Sequence, residues 1–86
     1  MDRDEYVRRC QQAVDLCGDQ LHGVIGGMIA HFRIYTARYE TTGMPDVERI
    51  PEGLAEAYIA LMMIRLKYGI NQEEIDEALE ECLTIE

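Results

Sequence analysis

Apolar residues recur along this chain at spacings that predict helices. Near the start they lie three and four residues apart, which is typical of an amphipathic helix from Asp2 to Cys17; they are Tyr6, Val7, Cys10, Ala13, Val14 and Cys17. Gly18 is expected to end or bend that helix. No stretch shows the alternation of a strand, so the sequence predicts an all-α fold in a single domain of residues 1–86.

A second helix is predicted from about Gln20 to Thr42. Its expected core positions are Leu21, Ile25, Ile29, Phe32 and Tyr39. Its small residues are expected to admit a neighbouring helix, or to break this one near Gly26; they are Gly23, Gly26, Gly27, Ala30 and Ala37. A loop over residues 41–46 follows, in which Asp46 is expected to cap a short turn.

The central element is a helix predicted from Pro51 to Gly69. Proline suits the first helical position, and glycine suits a left-handed stop at the end. Because no charge occurs between Glu56 and Arg65, about two turns are apolar on every side and are expected to be buried on every side. The run is too short for a bilayer, which needs about 20 apolar residues. Other helices of this chain, or of a second copy, are expected to cover it.

The last helix is predicted from Gln72 to about Leu83. Asn71 suits its N-cap, and Glu74 stands where a capping-box partner belongs. The helix is expected to turn six acids to solvent and an apolar face inward, formed by Ile75, Ala78, Leu79 and Cys82.

Length, charge and cysteines narrow the possibilities. The chain has 86 residues and a net charge of −9, which argues against nucleic-acid binding, and no signal or membrane segment is expected. So short a chain is often completed by association, so we predict a homodimer or larger homo-oligomer with the central helix in or beside the interface. Cys10 and Cys17 lie too far apart along one helix for a disulfide, which predicts reduced thiols, a cytoplasmic location and no zinc site.

The candidate site lies on the second helix, which has no acid between Asp19 and Glu40. On a helix, His31, Tyr35 and Arg38 share one face. Arginine offers a fork for phosphate, tyrosine a stacking plane and histidine a donor, so the stripe suits an anionic or aromatic ligand. The alternative is structural: Tyr35 belongs to the core, Arg38 reaches solvent, and His31 is a hydrogen-bonded edge residue.

Two acids mark the start of the central helix. Glu52 and Glu56 are one turn apart, a spacing that suits a hard cation if another helix adds ligands. Glu52 is interpreted as complementing the helix dipole. Glu56 lies a turn deeper, beside the apolar run, and is assigned to the ligand site.

The order of these elements, over roughly residues 21–83, resembles that of the MazG-like all-α nucleoside triphosphate pyrophosphohydrolases. Residues 21–27, Leu-His-Gly-Val-Ile-Gly-Gly, resemble the small-residue opening of that family's first metal-binding helix. Residues 53–57, the apolar run and the Gly-Ile-Asn turn at 69–71 resemble the second. In this resemblance Glu52 matches a family acid, Gly53 replaces its neighbour, and Glu56 stands where a metal-binding aspartate is usual. The resemblance implies a four-helix MazG-like bundle, completed by oligomerisation.

The chain departs from that family at the metal site. The family has a Glu-x-x-Glu pair on the earlier helix, where this chain has Glu40 alone and, in place of the pair, His31, Arg33, Tyr35 and Arg38. In the family, acids hold Mg²⁺, which binds the phosphates and activates water. The departure implies phosphate binding without a metal and without turnover.

Three functions follow. The first is non-catalytic binding or sequestration of a nucleotide or other phosphorylated small molecule, with no cofactor, a role that suits a small viral or mobile-element protein. Its residues are His31, Tyr35, Arg38 and Glu56. The second is a Mg²⁺-dependent pyrophosphohydrolase with a rearranged site of Glu40, Glu52 and Glu56. The third is a helical protein–protein interaction module.

Overall fold

A computed structural model of the protein describes the backbone of residues 1–42 and 49–84, and the side chains of residues 1–37 and 49–84. The helices are α1 (Arg3–Cys17), α2 (Leu21–Thr42), α3 (Ile50–Tyr68) and α4 (Gln72–Leu83), with a 3-10 turn at Gly18–Gln20. The described ranges contain no strand, which confirms the all-α prediction. In those same ranges, no helix has the length and apolar character needed to cross a membrane.

The helix boundaries lie within one residue of those predicted, because the signals are local. Asp2 caps α1, because its Oδ1 accepts a hydrogen bond of 2.8 Å from the backbone amide of Glu5. Gly18 and Gly69 take φ values of 49° and 63°, which glycine adopts without strain, and α1 and α3 end there. Asn71 and Glu74 form the predicted capping box, with bonds of 2.9 and 3.0 Å. Residues 41 and 42 of the predicted loop are helical, since α2 runs to Thr42. The rest of that loop, with the predicted Asp46 cap, lies outside the described residues.

The core lies where α3 packs between α1 and α2. Its buried side chains are Cys10, Leu21, Ile25, Ala60, Met62 and Met63. Tyr6 joins α1 to α3 by donating its hydroxyl to the carbonyl of Tyr58 at 2.8 Å. Burial raises the pKa of the Tyr6 phenol, and it raises the pKa of the Cys10 thiol as well.

Close approach of α2 and α3 occurs at Gly53. A methyl group there would lie 2.9 Å from Cδ2 of Tyr35 and 3.5 Å from Cα of Phe32. The glycines predicted to admit a neighbouring helix, in contrast, have no atom within 4 Å of the position of an added Cβ; they are Gly23, Gly26 and Gly27. That prediction is wrong within this chain. The possible break near Gly26 does not occur either, since α2 is continuous.

Several positions predicted to be buried are exposed. The central helix α3 is covered on one side only, and Tyr58 and Leu61 on its other side are 65% and 62% exposed. Ile29 on α2, also predicted to lie in the core, is 41% exposed. None of the other described helices packs against α4, so its supposedly inward face is largely open and Leu79 is 50% exposed. The three cysteines are unpaired, with Cys10 buried, Cys17 half-buried and Cys82 exposed.

Alanine substitutions test the contact at Gly53. We expect Gly26→Ala to raise the free energy of unfolding by about 0.5–1 kcal/mol, because alanine loses less conformational entropy and the position is open. Gly53→Ala gains the same helix propensity but must displace the ring of Tyr35, so its gain should be smaller or negative. Urea denaturation measures both. Equal stabilisation by the two substitutions would contradict the close contact.

The raised pKa values of Tyr6 and Cys10 make stability sensitive to alkaline pH. The unfolded chain loses these protons at lower pH than the folded chain does. Their stabilising contribution is therefore complete below the ordinary values, about 8.5 for cysteine and about 10 for tyrosine, and is lost as pH rises through the folded values. We expect the free energy of unfolding to fall above about pH 8.5, and to fall less in Tyr6→Phe. Urea titrations at stepped pH measure this, and an undiminished fall in Tyr6→Phe would exclude Tyr6 as a source.

Candidate functional site

Packing of α2 on α3 brings three of the predicted site residues together. His31 and Tyr35 lie one turn apart on α2, with ring centroids 6.2 Å apart and ring planes 24° from parallel. From α3, Glu56 places Oε1 3.2 Å from Nδ1 of His31. Gly53, one turn before Glu56, leaves the space that the Tyr35 ring occupies. We call these three residues the His31–Tyr35–Glu56 cluster.

The fourth predicted residue, Arg38, has a described backbone but a side chain outside the described residues. Because α2 continues to Thr42, residue 38 lies on the same helix face about one turn beyond Tyr35. Arg33 lies on the opposite side of α2, two residues from His31 and two from Tyr35, where it lines a shallow depression with Ala30, Ile34 and Ala37. Of the two arginines of α2, only Arg38 shares the helix face of the cluster.

The electrostatics of the cluster centre on Glu56. Its side chain is 29% exposed, against 56% for His31. Oε1 faces His31, whereas Oε2 is covered and has no hydrogen-bond partner among the described residues. A covered polar group without a partner costs roughly 1–3 kcal/mol, and a charged group costs more. The cluster therefore contains an unpartnered hydrogen-bond acceptor beside two aromatic rings, and a ligand can reach it only when the atoms that cover Oε2 move aside.

This arrangement can bind a flat molecule that carries a hydrogen-bond donor. Once Oε2 of Glu56 is uncovered, an N–H group can donate to it, and a planar ring can pack against His31 and Tyr35. A phosphate at the same point would meet the like charge of the carboxylate, which is unfavourable at short distance. An anionic group of a ligand must therefore lie away from Glu56.

The alternative metal site consists of Glu40, Glu52 and Glu56, and the structure describes the side chains of the last two. Glu52 is exposed in the first turn of α3, where an acid complements the helix dipole. The side chain of Glu40 lies outside the described residues. Within the described side chains, no three of the types His, Cys, Asp and Glu converge on one point.

A groove between α1, α3 and α4 is a feature that sequence analysis missed. It has a volume of about 520 Å³, and its lining includes Tyr6, Tyr58, Leu61, Arg65, Ile75 and Leu79. The sequence contains one indication of this groove, the charge-free run of α3. That run has more apolar faces than α1 and α2 can cover, so part of it is left exposed.

No protein-family model, curated protein or solved structure matches this chain. The resemblance to MazG-like pyrophosphohydrolases therefore stays a prediction, and the assignment of the site depends on the contacts described above.

Substitution of Glu56 tests whether its carboxylate is kept at a cost to the fold. We expect Glu56→Met to raise the free energy of unfolding by about 1 kcal/mol, because an apolar side chain of similar length removes the unpartnered oxygen. Glu52→Met is the matched control, and we expect it to be neutral or slightly destabilising, since Glu52 is exposed near a helix N-terminus. Thermal and urea denaturation measure both variants. A clear loss of stability in Glu56→Met would show that the carboxylate serves the fold.

Proposed function

We propose that this protein binds a nucleotide, or a similar phosphorylated molecule with an aromatic base, at the His31–Tyr35–Glu56 cluster and does not hydrolyse it. The observation that carries this proposal is the covered, unpartnered Oε2 of Glu56 beside the stacked rings of His31 and Tyr35. Binding requires a small movement that uncovers Oε2; a ring N–H or exocyclic amine of a base then supplies the missing donor, and the base packs against the rings.

Charge determines how such a ligand lies. The carboxylate of Glu56 accepts a hydrogen bond from the base and repels the phosphates. The phosphates therefore point along α2 toward residue 38. Arg38 offers a guanidinium fork there, and forked bonds to phosphate are among the stronger hydrogen bonds in proteins. Tyr35 lies between the two ends of the ligand, and His31 lies at the base end, with Nδ1 3.2 Å from Oε1 of Glu56.

The scarcity of acidic residues on α2 supports binding without hydrolysis. Between Leu21 and Thr42 the only acid is Glu40, whereas the resembled family holds Mg²⁺ with a Glu-x-x-Glu pair on the corresponding helix. The proposal includes a MazG-like four-helix bundle that is completed by a second copy and located in the cytoplasm. The helix order and the glycine turn at Gly69 support the bundle, and the three unpaired thiols are compatible with a reducing compartment.

A helical protein–protein interaction module is the second candidate function. The observation in its favour is the apolar surface left open on α3 and α4, where Leu61 and Leu79 are 62% and 50% exposed. Large exposed apolar patches mark interaction sites in many proteins. This function does not require the unpartnered hydrogen-bond acceptor at Oε2 of Glu56.

Arginine substitutions test the proposed ligand orientation. The probes are adenosine and guanosine mono- and triphosphates and cyclic nucleotides, screened by thermal shift and then titrated by calorimetry. We expect Arg38→Ala to weaken binding roughly ten- to hundredfold, because forked charge-assisted bonds are worth about 1.5–3 kcal/mol. Arg38→Lys should recover only part of the affinity, since an ammonium group lacks the planar fork.

Arg33→Ala is the matched control, because Arg33 lies on the same helix but away from the cluster. It should change affinity little. Tyr35→Phe should bind better than Tyr35→Ala if the ring supplies the contact. If no nucleotide shifts the melting temperature of the native protein, the ligand proposal is wrong and the interaction module takes its place. Release of pyrophosphate with Mg²⁺ that is lost in Glu56→Gln would instead establish the enzyme.

A further inference from the structure

The chain has more surface than a compact protein of its size. Its accessible surface is 6865 Å², whereas a folded monomer of 9.9 kDa is expected to have about 5,200 Å². Its radius of gyration is 15.1 Å, against about 12 Å expected. The excess of roughly 1,600 Å² per chain is twice what each partner hides in a standard interface.

Exposed apolar side chains lie on α4 and in the groove beside it. The apolar face of α4 consists of Ile75, Ala78, Leu79, Cys82 and Leu83, and α1–α3 do not pack on it. Ile75 and Leu79 of this face form one wall of the groove of about 520 Å³, and Tyr58 and Leu61 of α3 also line it. An apolar helix face and an apolar groove on the same chain are complementary in chemistry.

Arg65 fixes α4 in its outward position. Its carbonyl accepts the amides of Gly69 and Ile70, the latter at 3.1 Å. Its guanidinium donates to the carbonyl of Ile70 at 3.0 Å and to Oε1 of Gln72 at 3.1 Å. The junction between α3 and α4 is therefore bonded through both main chain and side chain, and α4 is presented as a structured arm.

Charge favours this chain as the occupant of the groove. The arm carries six acids and no base: Glu73, Glu74, Asp76, Glu77, Glu80 and Glu81. Helix α1, at the opposite side of the groove, carries three of the eight basic residues of the chain, Arg3, Arg8 and Arg9. Arg3 lines the groove. An acidic arm in the groove of another copy would bring these opposite charges together.

We propose that α4 of each chain docks in the α1–α3–α4 groove of a second copy, so that two chains exchange arms. The apolar face of one arm covers Leu61 and Tyr58 of the other chain, and the acids of the arm lie along α1. This inference rests on the self-association that is part of the proposed function, and it is independent of ligand binding. It gives α3 the cover that the single chain lacks.

Leucine substitutions test this exchange in the full chain, by sedimentation velocity over a dilution series. We expect a dimer for the native protein. Leu61→Glu in the groove and Leu79→Glu on the arm should each raise its dissociation constant at least about tenfold, since each places a charge where an apolar side chain would be buried. Leu16→Glu is the matched control, because Leu16 is 88% exposed on α1 and does not line the groove. It should change the constant less than about twofold.

A cysteine cross-link tests the same contact without disturbing the apolar face. Cys82 is a native exposed thiol on the arm. Under mild oxidation, Leu61→Cys should give a disulfide-linked dimer through Cys82, whereas Leu16→Cys and the native chain should give much less. The additional substitution Cys82→Ser should abolish the cross-link.

The outcomes separate this inference from self-association in general. A monomer at all concentrations would overturn both. A dimer that is insensitive to Leu61→Glu and Leu79→Glu, or that Leu16→Glu weakens equally, would overturn arm exchange and leave self-association standing. A cross-link that forms as readily from residue 16 as from residue 61 would likewise overturn it.

Discussion

The contact between α2 and α3 at Gly53 is the constraint on which the candidate site depends. Because Gly53 has no side chain, Tyr35 can lie against the α3 backbone, with the Cβ position only 2.9 Å from its ring. One turn further along α3, that spacing places Glu56 within 3.2 Å of His31. Oε2 of the same carboxylate is covered and has no hydrogen-bond partner among the described residues.

Two parts of the molecule are left incomplete by the single chain, in different ways. At Glu56 a hydrogen-bond donor is missing, which a small ligand can supply. Along α3 and α4 an apolar cover is missing, which requires a surface the size of a helix. An isolated helix of 12 residues such as α4 is marginal in water. Its capping box and the bonds of Arg65 stabilise it locally, and docking on another surface would add the burial it lacks.

The sequence predicted what depends on neighbouring residues and failed where distant elements decide. Helix ends were predictable because Asp2, Gly18, Gly69 and Asn71 act within a few residues of themselves. The exposure of individual side chains was not predictable, since it depends on which helices cover α3 and on the direction of α4. The face shared by His31 and Tyr35 follows from helix periodicity, but their meeting with Glu56, 25 residues from His31, depends on the tertiary contact. The glycines of α2 were predicted to allow close helix packing, yet among the glycines named here only Gly53 of α3 has an atom within 4 Å of an added Cβ.

Nuclear magnetic resonance titration of the isotope-labelled protein with nucleotides tests the central claim most directly, because it locates binding at single residues. The account predicts that the signals of His31, Tyr35 and Glu56 shift together and saturate with one constant, and that the signals of residues near position 38 follow. Signals of the arm, such as Leu79 and Cys82, should stay in place. Shifts confined to α4 and its groove, or no shifts with any nucleotide, would contradict the proposed site.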